Sequence, residues 1–448
     1  MPNEAEIEKV VRRAAALRAL AERAARENAN DERAVFGAAM ALRVIGDHRA
    51  ALAQFEALNQ LVPNNTHYLF ELGQTLEHVG RFEDATPRYE ASLAAEPFNY
   101  RARHAIVQLH RQTTSGNSIP EMEQQIALPD DDGWRWLYLG HALAKTYEDI
   151  GDIQTSMSWL ARAKQTRRRR SAYDVANEQK LSQAAQAVNL AGAAAHDSSE
   201  PIFITGLPRS GTTLVDRIVS SHPDVISVGE IGNFLQLLKL YSESRALASL
   251  DADVLSRADK VDFERLGRSY IESTRPITGA TPRFIDKAPS NFFLAPIILR
   301  TFPNARIICM RRNPLDSVLS NYKQIFPFDD RYYDYVYDLE WAAQKYVIFD
   351  QLISRWRDML PPQRFMVLQY EDLVANQEDR TRDVLAFCGL GWDARTLSFH
   401  ENAAGVSTPS VRQVRQAMNA QAVGRWQKYG AALDPARRVL EQAGIALD

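Results

Sequence analysis

The chain has 448 residues, of which 45% are hydrophobic and 24% charged, and a formal net charge of −3, values typical of a soluble globular protein with two or three domains. The charge gives no general reason to expect a nucleic-acid partner, and no apolar run approaches the roughly 20 residues of a membrane helix. Two cysteines exclude a disulfide framework and the first residues lack a signal-peptide core, so we predict a cytoplasmic protein without a membrane span.

The first 195 residues are rich in alanine and carry a repeat with a period of 34 residues. The matched pairs are Gly46 and Gly80, Ala51 and Ala85, Phe55 and Tyr89, and Pro63 and Pro97. This period is that of the tetratricopeptide repeat, in which a turn joins two helices. The sequence therefore predicts that residues 1–195 form a tetratricopeptide-type helical repeat domain, which is clearest over 31–98 and weaker over 99–164.

Arrays of such repeats stack into a superhelix with a concave face, and two roles for this face remain open. The face binds a peptide or a partner protein, or the array serves as a spacer or as a contact within a homo-oligomer. The basic run Arg167–Arg170 follows the repeats. We interpret it as a solvated helix end rather than a nucleic-acid patch, because the chain is slightly acidic overall.

A glycine-bounded turn follows an apolar, strand-like segment and precedes an apolar helical segment. Gly206 and Gly211 have the spacing G-x-x-x-x-G-T-T. The glycines let the backbone turn tightly, so that the amides at the helix start point at an anion. Arg209 adds a positive charge, and Thr212 and Thr213 add hydroxyl donors. The pattern predicts a phosphate loop that is similar to a P-loop but carries Thr212 where ATP and GTP sites carry lysine.

Strand-like segments alternate with helical segments over residues 196–448, which predicts an α/β domain with a parallel sheet. Polar residues follow the predicted strands, namely Glu230, Lys287, and Arg312 with Ser320 eight residues later. Open α/β sheets bind ligands at the carboxyl ends of their strands. Arginine can hold a phosphate through two parallel hydrogen bonds, so Arg312 and Ser320 form a second candidate anion site.

These residues resemble a known family. Pro208–Thr213 resembles the 5′-phosphosulfate loop of sulfotransferases, and Arg312 with Ser320 resembles their 3′-phosphate motif. Gly229-Glu230, Asp286–Pro289 and Ser410–Val414 are similar to the tyrosylprotein sulfotransferase branch. The resemblance covers about 201–430, and repeats ahead of such a domain are similar to bacterial members. It implies that 3′-phosphoadenosine 5′-phosphosulfate (PAPS) gives a sulfuryl group to a hydroxyl acceptor. We expect turnover to need no divalent metal, because arginine and lysine supply the positive charge. The implied PAPS-binding residues are Arg209, Ser210, Gly211, Thr212, Thr213, Arg312, Ser320 and Ser410.

Three residues receive catalytic roles from this resemblance. Glu230 is the candidate base, while Lys287 and Arg209 would stabilise charge on the departing phosphate. The alternative roles are structural, with Glu230 capping the following helix and Lys287 pairing with the neighbouring aspartate. His222 is interpreted as structural, and His400 is a second candidate base.

The segment Gly405–Gly424 is rich in polar residues, so by composition it is a long surface loop. By resemblance, it would close over the adenosine phosphate, using Ser410 and either Arg415 or Arg425. We also expect residues 1 to about 195 to present or recruit the acceptor rather than take part in the chemistry. A chain that starts near Ser198 should then keep PAPS binding and lose efficiency on its natural acceptor.

The sequence leaves the acceptor class open between peptide tyrosine, a sugar and a small molecule. If the acceptor is a peptide or protein, we expect the repeats to recruit it. Two other functions also remain. One is a P-loop kinase or NTPase, against which the threonine at position 212 argues. The other is a repeat scaffold with an inactive nucleotide-binding domain, against which the intact set of polar site residues argues.

Overall fold

The structure, a computed structural model, describes residues 3–129, 133–189, 196–326 and 331–447. A helical N-terminal region precedes a parallel sheet covered by helices. The helices of the N-terminal region, called here the helical array, are α1 (Glu4–Glu27), α2 (Glu32–Val44), α3 (His48–Leu61), α4 (Thr66–His78), α5 (Phe82–Ala95), α6 (Tyr100–Leu109), α7 (Ile119–Ile126), α8 (Trp134–Asp149), α9 (Ile153–Arg170) and α10 (Val175–Gln186).

The second region contains five strands and ten further α-helices within the described residues. The strands are β1 (Pro201–Gly206), β2 (Val225–Gly229), β3 (Arg283–Lys287), β4 (Arg306–Arg311) and β5 (Phe365–Gln369). The helices are α11 (Thr212–Val219), α12 (Asn233–Tyr241), α13 (Ala252–Ser256), α14 (Phe263–Thr278), α15 (Ala295–Thr301), α16 (Pro314–Tyr322), α17 (Leu339–Met359), α18 (Tyr370–Ala375), α19 (Gln377–Phe387) and α20 (Asp434–Gln442). Across the described ranges, no helix is long and apolar enough to cross a membrane.

The helix pairs α2–α3 and α4–α5 follow the 34-residue period of the sequence. Asp31 and Asn65 cap α2 and α4 through side-chain oxygens that accept backbone amides, which satisfies otherwise unpaired donors. Gly46 and Gly80 connect the helices of each pair with φ angles of 78° and 86°, a left-handed conformation that glycine adopts without a Cβ penalty. The alanines and aromatic residues that matched in sequence, Ala51, Ala85, Phe55 and Tyr89, are all fully buried.

The basic run lies in the last turn of α9, and Arg168, Arg169 and Arg170 are exposed, which agrees with the interpretation of a solvated helix end. The Arg167 guanidinium lies 3.9 Å from the ring centroid of Trp134, and Arg168 forms a 2.6 Å ion pair with Asp338. Arg168 also lies over the ring of Trp341. Arginine stacks well on aromatic rings because its guanidinium is planar and weakly hydrated. Arg168, whose partners belong to the second region, therefore joins the array to that region.

The five strands form one parallel sheet in the order β2-β3-β1-β4-β5, which confirms the predicted parallel α/β arrangement. β1 lies in the middle of the sheet and is buried along its whole length, because neighbouring strands and helices cover it on all sides. Its continuous apolar sequence suits this position. The carboxyl ends of all five strands lie at one edge of the sheet, where the phosphate loop begins.

The helical array and the sheet region share a hydrophobic core. Ile7 and Val11 of α1 belong to the same buried cluster as Phe203 of β1 and Leu266 of α14. The predicted domain boundary between residues 195 and 196 adjoins residues 190–195, which lie outside the described residues. Other apolar side chains of the array, such as Phe55, Phe70 and Tyr89, form a separate core among the array helices, so only part of the array depends on the sheet region for its burial.

Candidate functional site

The phosphate loop joins β1 to α11 in a conformation that requires glycine. Gly206 and Gly211 have φ angles of 139° and 105°. A Cβ on Gly206 would lie 2.5 Å from the carbonyl oxygen of Met310, and a Cβ on Gly211 would lie 2.7 Å from the ring of Tyr370. The loop therefore keeps a narrow backbone turn at the start of α11, where unpaired amides favour an anion.

Two further residues of this loop bear on its ability to hold an anion. The Ser210 hydroxyl is buried and has no hydrogen-bond partner. Arg209 has a φ angle of 65°, which is uncommon for a residue with a side chain. Burial, followed by the nearby Arg312 charge, lowers the pKa of Arg209 to about 10, so it remains protonated at neutral pH. Backbone strain of this kind is found at ligand-binding sites.

Arg312 forms the second cationic centre, directly after β4. Its guanidinium donates a 3.0 Å hydrogen bond to the Arg209 carbonyl and a 3.3 Å hydrogen bond to the Ser320 hydroxyl. It also donates to the Ala422 carbonyl and lies 4.8 Å from the ring centroid of Tyr370. The structure thus brings together Arg312 and Ser320, as the sequence predicted, and places both beside the phosphate loop.

The preceding arginine points to the opposite side of the sheet. Arg311 Nε donates a 2.8 Å hydrogen bond to Asp350 of α17. Side chains alternate along a strand, so neighbouring arginines at the end of β4 reach different environments. Arg311 therefore forms a structural ion pair with Asp350, whereas the Arg312 side chain faces the phosphate loop.

The Lys287 ammonium and the Glu230 carboxylate form an ion pair at the ends of neighbouring strands β3 and β2. Lys287 is buried, whereas 37% of the Glu230 side chain is exposed. The alternative partner of Lys287, Asp286, instead accepts hydrogen bonds from Tyr270 at 2.7 Å and Asn291 at 3.3 Å. Burial raises the pKa of Asp286 to about 6. The helix that follows Glu230 is capped by a glycine, so the capping role considered for Glu230 is not observed.

The two histidines considered in the sequence occupy turns near the C-terminal end of α11 and near α19. His222 Nδ1 accepts a 3.2 Å hydrogen bond from the Asp224 amide, which fits its predicted structural role. His400 packs against the ring of Phe399, and its Nδ1 atom has no hydrogen-bond partner.

The segment of residues 402–416, called here the strap, lies on the phosphate loop. Ser410 accepts a hydrogen bond from the Arg209 guanidinium, and Gln413 accepts another at 2.9 Å. The Thr408 and Thr213 hydroxyl oxygens are 3.2 Å apart. Ser410 is therefore beside the loop, as the resemblance implied, and the strap covers one side of the candidate site.

Two residues of the site were not singled out from the sequence. The Tyr370 ring centroid lies 4.8 Å from the Arg312 guanidinium, and the ring would lie 2.7 Å from a Cβ added to Gly211. Asp316 accepts hydrogen bonds from the amides of Gly424 at 2.8 Å and Trp426 at 2.9 Å. These contacts join residues far apart in sequence, so only the position of Asp316 four residues after Arg312 could have drawn attention to it.

A cavity of about 570 Å³ lies between the helical array, the strap and α16. Its walls include Arg209 and Ser320 from the candidate site, but neither Glu230 nor Lys287. Six guanidinium or ammonium groups and three carboxylates line it: Arg101, Lys145, Arg209, Lys323, Arg412, Arg425, Glu77, Glu148 and Asp149. The excess of cations favours an anionic occupant.

The sheet region matches a known family. Residues 201–394 match the model described as Sulfotransferase family. An uncharacterized protein of Aquifex aeolicus is 26% identical over 399 residues, which cover 85% of this chain and 51% of that protein. A protein-tyrosine sulfotransferase of Drosophila melanogaster is 28% identical over 240 residues, which cover 50% of this chain and 46% of that protein. The chain thus spans about half the length of these curated relatives.

Solved structures of sulfotransferases are also similar to the chain. The sulfotransferase domain of the Synechococcus olefin synthase aligns with a TM-score of 0.38 at 19% identity, over 56% of this chain and 98% of that domain. A mouse sulfotransferase complexed with PAP aligns with a TM-score of 0.35 at 14% identity, over 60% of this chain and 90% of that structure.

Proposed function

We propose that this protein is a sulfotransferase that moves a sulfuryl group from PAPS to a hydroxyl acceptor. The observation that carries the proposal is the arrangement at the carboxyl edge of the sheet. The glycine loop 206–213 and the Arg312–Ser320 pair form two adjacent anion sites, and the Lys287–Glu230 pair lies at the ends of the next strands. Ligands of open α/β sheets bind at this edge.

The residues of the two anion sites suit a donor with two separate phosphate groups. The orphan Ser210 hydroxyl and the unpartnered Nε atom of Arg312 are buried polar groups that a ligand would satisfy. The amides of the loop, with Thr212 and Thr213, would hold the phosphosulfate. Arg312, with Ser320, would hold the 3′-phosphate through charge-assisted hydrogen bonds.

We assign complementary roles to the two members of the ion pair. PAPS supplies an activated sulfuryl group whose transfer forms an acceptor O–S bond and breaks the O–S bond to the phosphate. The Glu230 carboxylate takes the proton of the acceptor hydroxyl. The Lys287 ammonium, together with Arg209, stabilises the negative charge on the departing phosphate oxygen. Glu230 and Lys287 contact each other in the structure, so this mechanism requires their ion pair to open when acceptor and donor bind.

We further propose that the helical array consists of tetratricopeptide-type repeats and that the acceptor is a peptide tyrosine, a sugar or a small molecule. The helix caps at Asp31 and Asn65 and the glycine turns at Gly46 and Gly80 support the repeat assignment, because they recur at the sequence period. Relatives that are protein-tyrosine sulfotransferases support a hydroxyl-bearing protein acceptor.

Calorimetry with PAP and ATP tests the donor class. We expect PAP to bind more tightly than ATP, because the loop lacks the lysine that grips β- and γ-phosphates. A preference for ATP of tenfold or more, about 1.4 kcal/mol, would contradict the proposal and favour a kinase or NTPase.

Mass spectrometry of candidate acceptors incubated with PAPS then tests the reaction. We expect sulfated product to form in the presence of a metal chelator, because arginine and lysine supply the positive charge. Activity that is lost in chelator and restored by magnesium would count against this mechanism. Binding of PAP without product from any acceptor class would support the inactive scaffold instead.

A further inference from the structure

The strap touches the phosphate loop and α11 on one of its sides. Its Ser410 and Gln413 side chains hold the Arg209 guanidinium, and its Thr408 hydroxyl lies beside the Thr213 hydroxyl. Arg209 is shared between the loop and the cavity described above. The position of the strap therefore fixes the position of one of the charged side chains assigned to the donor.

The opposite side of the strap is bonded to the helical array along its length. The Val406 amide donates a 2.9 Å hydrogen bond to the carbonyl of His78 at the end of α4. The Arg412 guanidinium donates to the carbonyls of Gln108 and Leu109 at the end of α6. Arg49 of α3 donates a 3.3 Å hydrogen bond to the strap carbonyl of Ala403. Three different helices of the array thus contribute contacts.

A small apolar cluster centred on the strap has contacts with both the helical array and the sheet region. Val406, Val411 and Val414 are buried, and both Phe82 of α5 and Leu214 of α11 pack against them. Removal of these three side chains from water favours the packing of the strap against both surfaces. The strap is therefore a bridge between the array and the helix that starts at the phosphate loop.

The contact between the strap and α3 leaves no space for a side chain at Gly405. A Cβ on Gly405 would lie 2.8 Å from the Cβ and Cγ atoms of His48, which is itself buried. Neither of these histidine atoms is the flexible end of a long side chain. Even one methyl group at Gly405 must therefore push the strap away from the array.

We propose that the helical array is a functional part of the donor site, because it holds the strap against the phosphate loop and so makes donor binding depend on the array. This inference rests on the proposed function, from which it takes a 3′-phosphoadenosine nucleotide as the donor. It replaces the expectation that a chain starting near Ser198 keeps PAPS binding. The array then acts on the reaction without supplying a group to the reacting atoms.

The full-length Gly405→Ala variant tests this proposal, with Gly391→Ala as the matched control. Gly391 lies earlier in the same C-terminal part and has no positive φ angle, and a Cβ added there would meet no other atom within 4 Å. Two measurements are made, hydrogen exchange without nucleotide and PAP binding by calorimetry. We expect Gly405→Ala to speed exchange in 402–416 and 206–213, but not in α2, and to weaken PAP binding at least tenfold. Gly391→Ala should match the wild type in both measurements.

The two measurements separate failure of this inference from failure of the proposed function. If the wild-type protein does not bind PAP, the proposed function fails, while exchange in the strap still reports whether the array holds it. Unchanged exchange in Gly405→Ala, or faster exchange with unchanged PAP affinity, would overturn the inference. Should Gly405→Ala fail to fold, Arg412→Ala removes the contacts to α6 without adding a group, and the same outcomes apply to it.

Discussion

At the scale of single residues, the side chain of Glu230, the proposed base, is 37% exposed beside the buried Lys287. We predict that Glu230→Gln, which keeps the shape of the side chain but not its basicity, lowers kcat by about 10²–10⁴ while PAP affinity changes little. Steady-state kinetics and calorimetry measure the two effects. Glu264→Gln, at an exposed position paired with Arg268, is the control. Turnover above about a tenth of wild type would exclude Glu230 as the base and make His400 the next candidate.

The adjacent arginines at the end of β4 provide a matched pair of variants. Arg312→Lys keeps the charge but loses the planar fork that contacts Arg209 and Ser320. We predict at least a tenfold weaker affinity for PAP, with a smaller effect on kcat, as calorimetry and kinetics would show. Arg311→Lys, whose partner is Asp350 on the other side of the sheet, should bind PAP like the wild type. An equal loss of PAP affinity in both variants would indicate that replacing either arginine disturbs the fold, and would contradict a specific role for Arg312.

Lys287→Ala is expected to act on the chemical step rather than on binding. Lys287 is buried and forms an ion pair with Glu230. Under the proposed mechanism, its removal takes away charge stabilisation at the departing phosphate and also frees the base. We predict a kcat lowered by about 10²–10³, the range for loss of a transition-state donor, with PAP affinity within a few fold. A variant that loses affinity and keeps kcat would instead assign Lys287 to donor binding.

The candidate residues could be read from the sequence because each follows a strand or a glycine loop. Arg209, Glu230, Lys287 and Arg312 all lie at strand ends, where ligands bind in parallel sheets. Their contacts could not be predicted, because the Lys287–Glu230 pair depends on β2 and β3 being neighbours. Nothing in the order of strands along the chain specifies that arrangement.

At the scale of elements, the buried His48 and the partly buried His78 lie where α3 and α4 meet the strap. The rings of His48 and His78 are 4.9 Å apart, and Gly405 packs on His48. Burial, followed by the Arg43 charge, lowers the pKa of His48 from 6.5 to about 4. Between these two pH values the unfolded chain binds a proton that the folded chain does not, so folding stability must fall as the pH falls.

We predict that His48 contributes about 2 kcal/mol to the loss of unfolding free energy between pH 7 and pH 5. Chemical denaturation at both pH values measures this loss. His48→Gln should reduce it, whereas His67→Gln, at an exposed position in α4, should not. If His48→Gln and the wild type lose the same stability between the two pH values, His48 does not titrate as its burial indicates.

Elements with a strong local signal were predictable, and elements defined by distant partners were not. The strands were evident from short apolar runs that are followed by polar residues, and the helix pairs from the glycine turns at Gly46 and Gly80. The strap, however, contains only one short helical turn, Gln413–Arg415, within irregular backbone. Its position depends on contacts to α3, α4 and α6, more than 290 residues earlier in the chain, and local sequence carries no information about them.

At the scale of the whole molecule, Glu148 of α8 is the centre of a charged network between the two regions. It accepts hydrogen bonds from Lys323, Arg425 and Tyr429. Burial alone would raise the pKa of Glu148, but the two cations outweigh burial and lower it to about 2. The carboxylate is therefore charged throughout the physiological range, and its contribution to stability would be lost only as the pH falls from about 4.5 toward 2.

We predict that Glu148→Gln lowers the free energy of unfolding by about 3 kcal/mol, because it leaves the partly buried Lys323 ammonium without its counter-charge. Denaturant titration at neutral pH measures this change. Glu22→Gln, which affects only an exposed pair with Arg26, should change the unfolding free energy by less than about 0.5 kcal/mol. Similar values for the two variants would show that the network between the regions contributes little to stability.

The place of the strap near the C-terminal end imposes an order on assembly during translation. The array forms contacts between helices that are close in sequence, so it can fold while the rest of the chain is still being made. The central strand β1 can pair only after β3 and β4 have been synthesised. The array is covered by the strap only after residues 402–416 have been synthesised, which happens later still. Until those residues leave the ribosome, His48, Phe82 and the carbonyl of Leu109 remain uncovered, and the nascent protein displays a surface that the finished one hides.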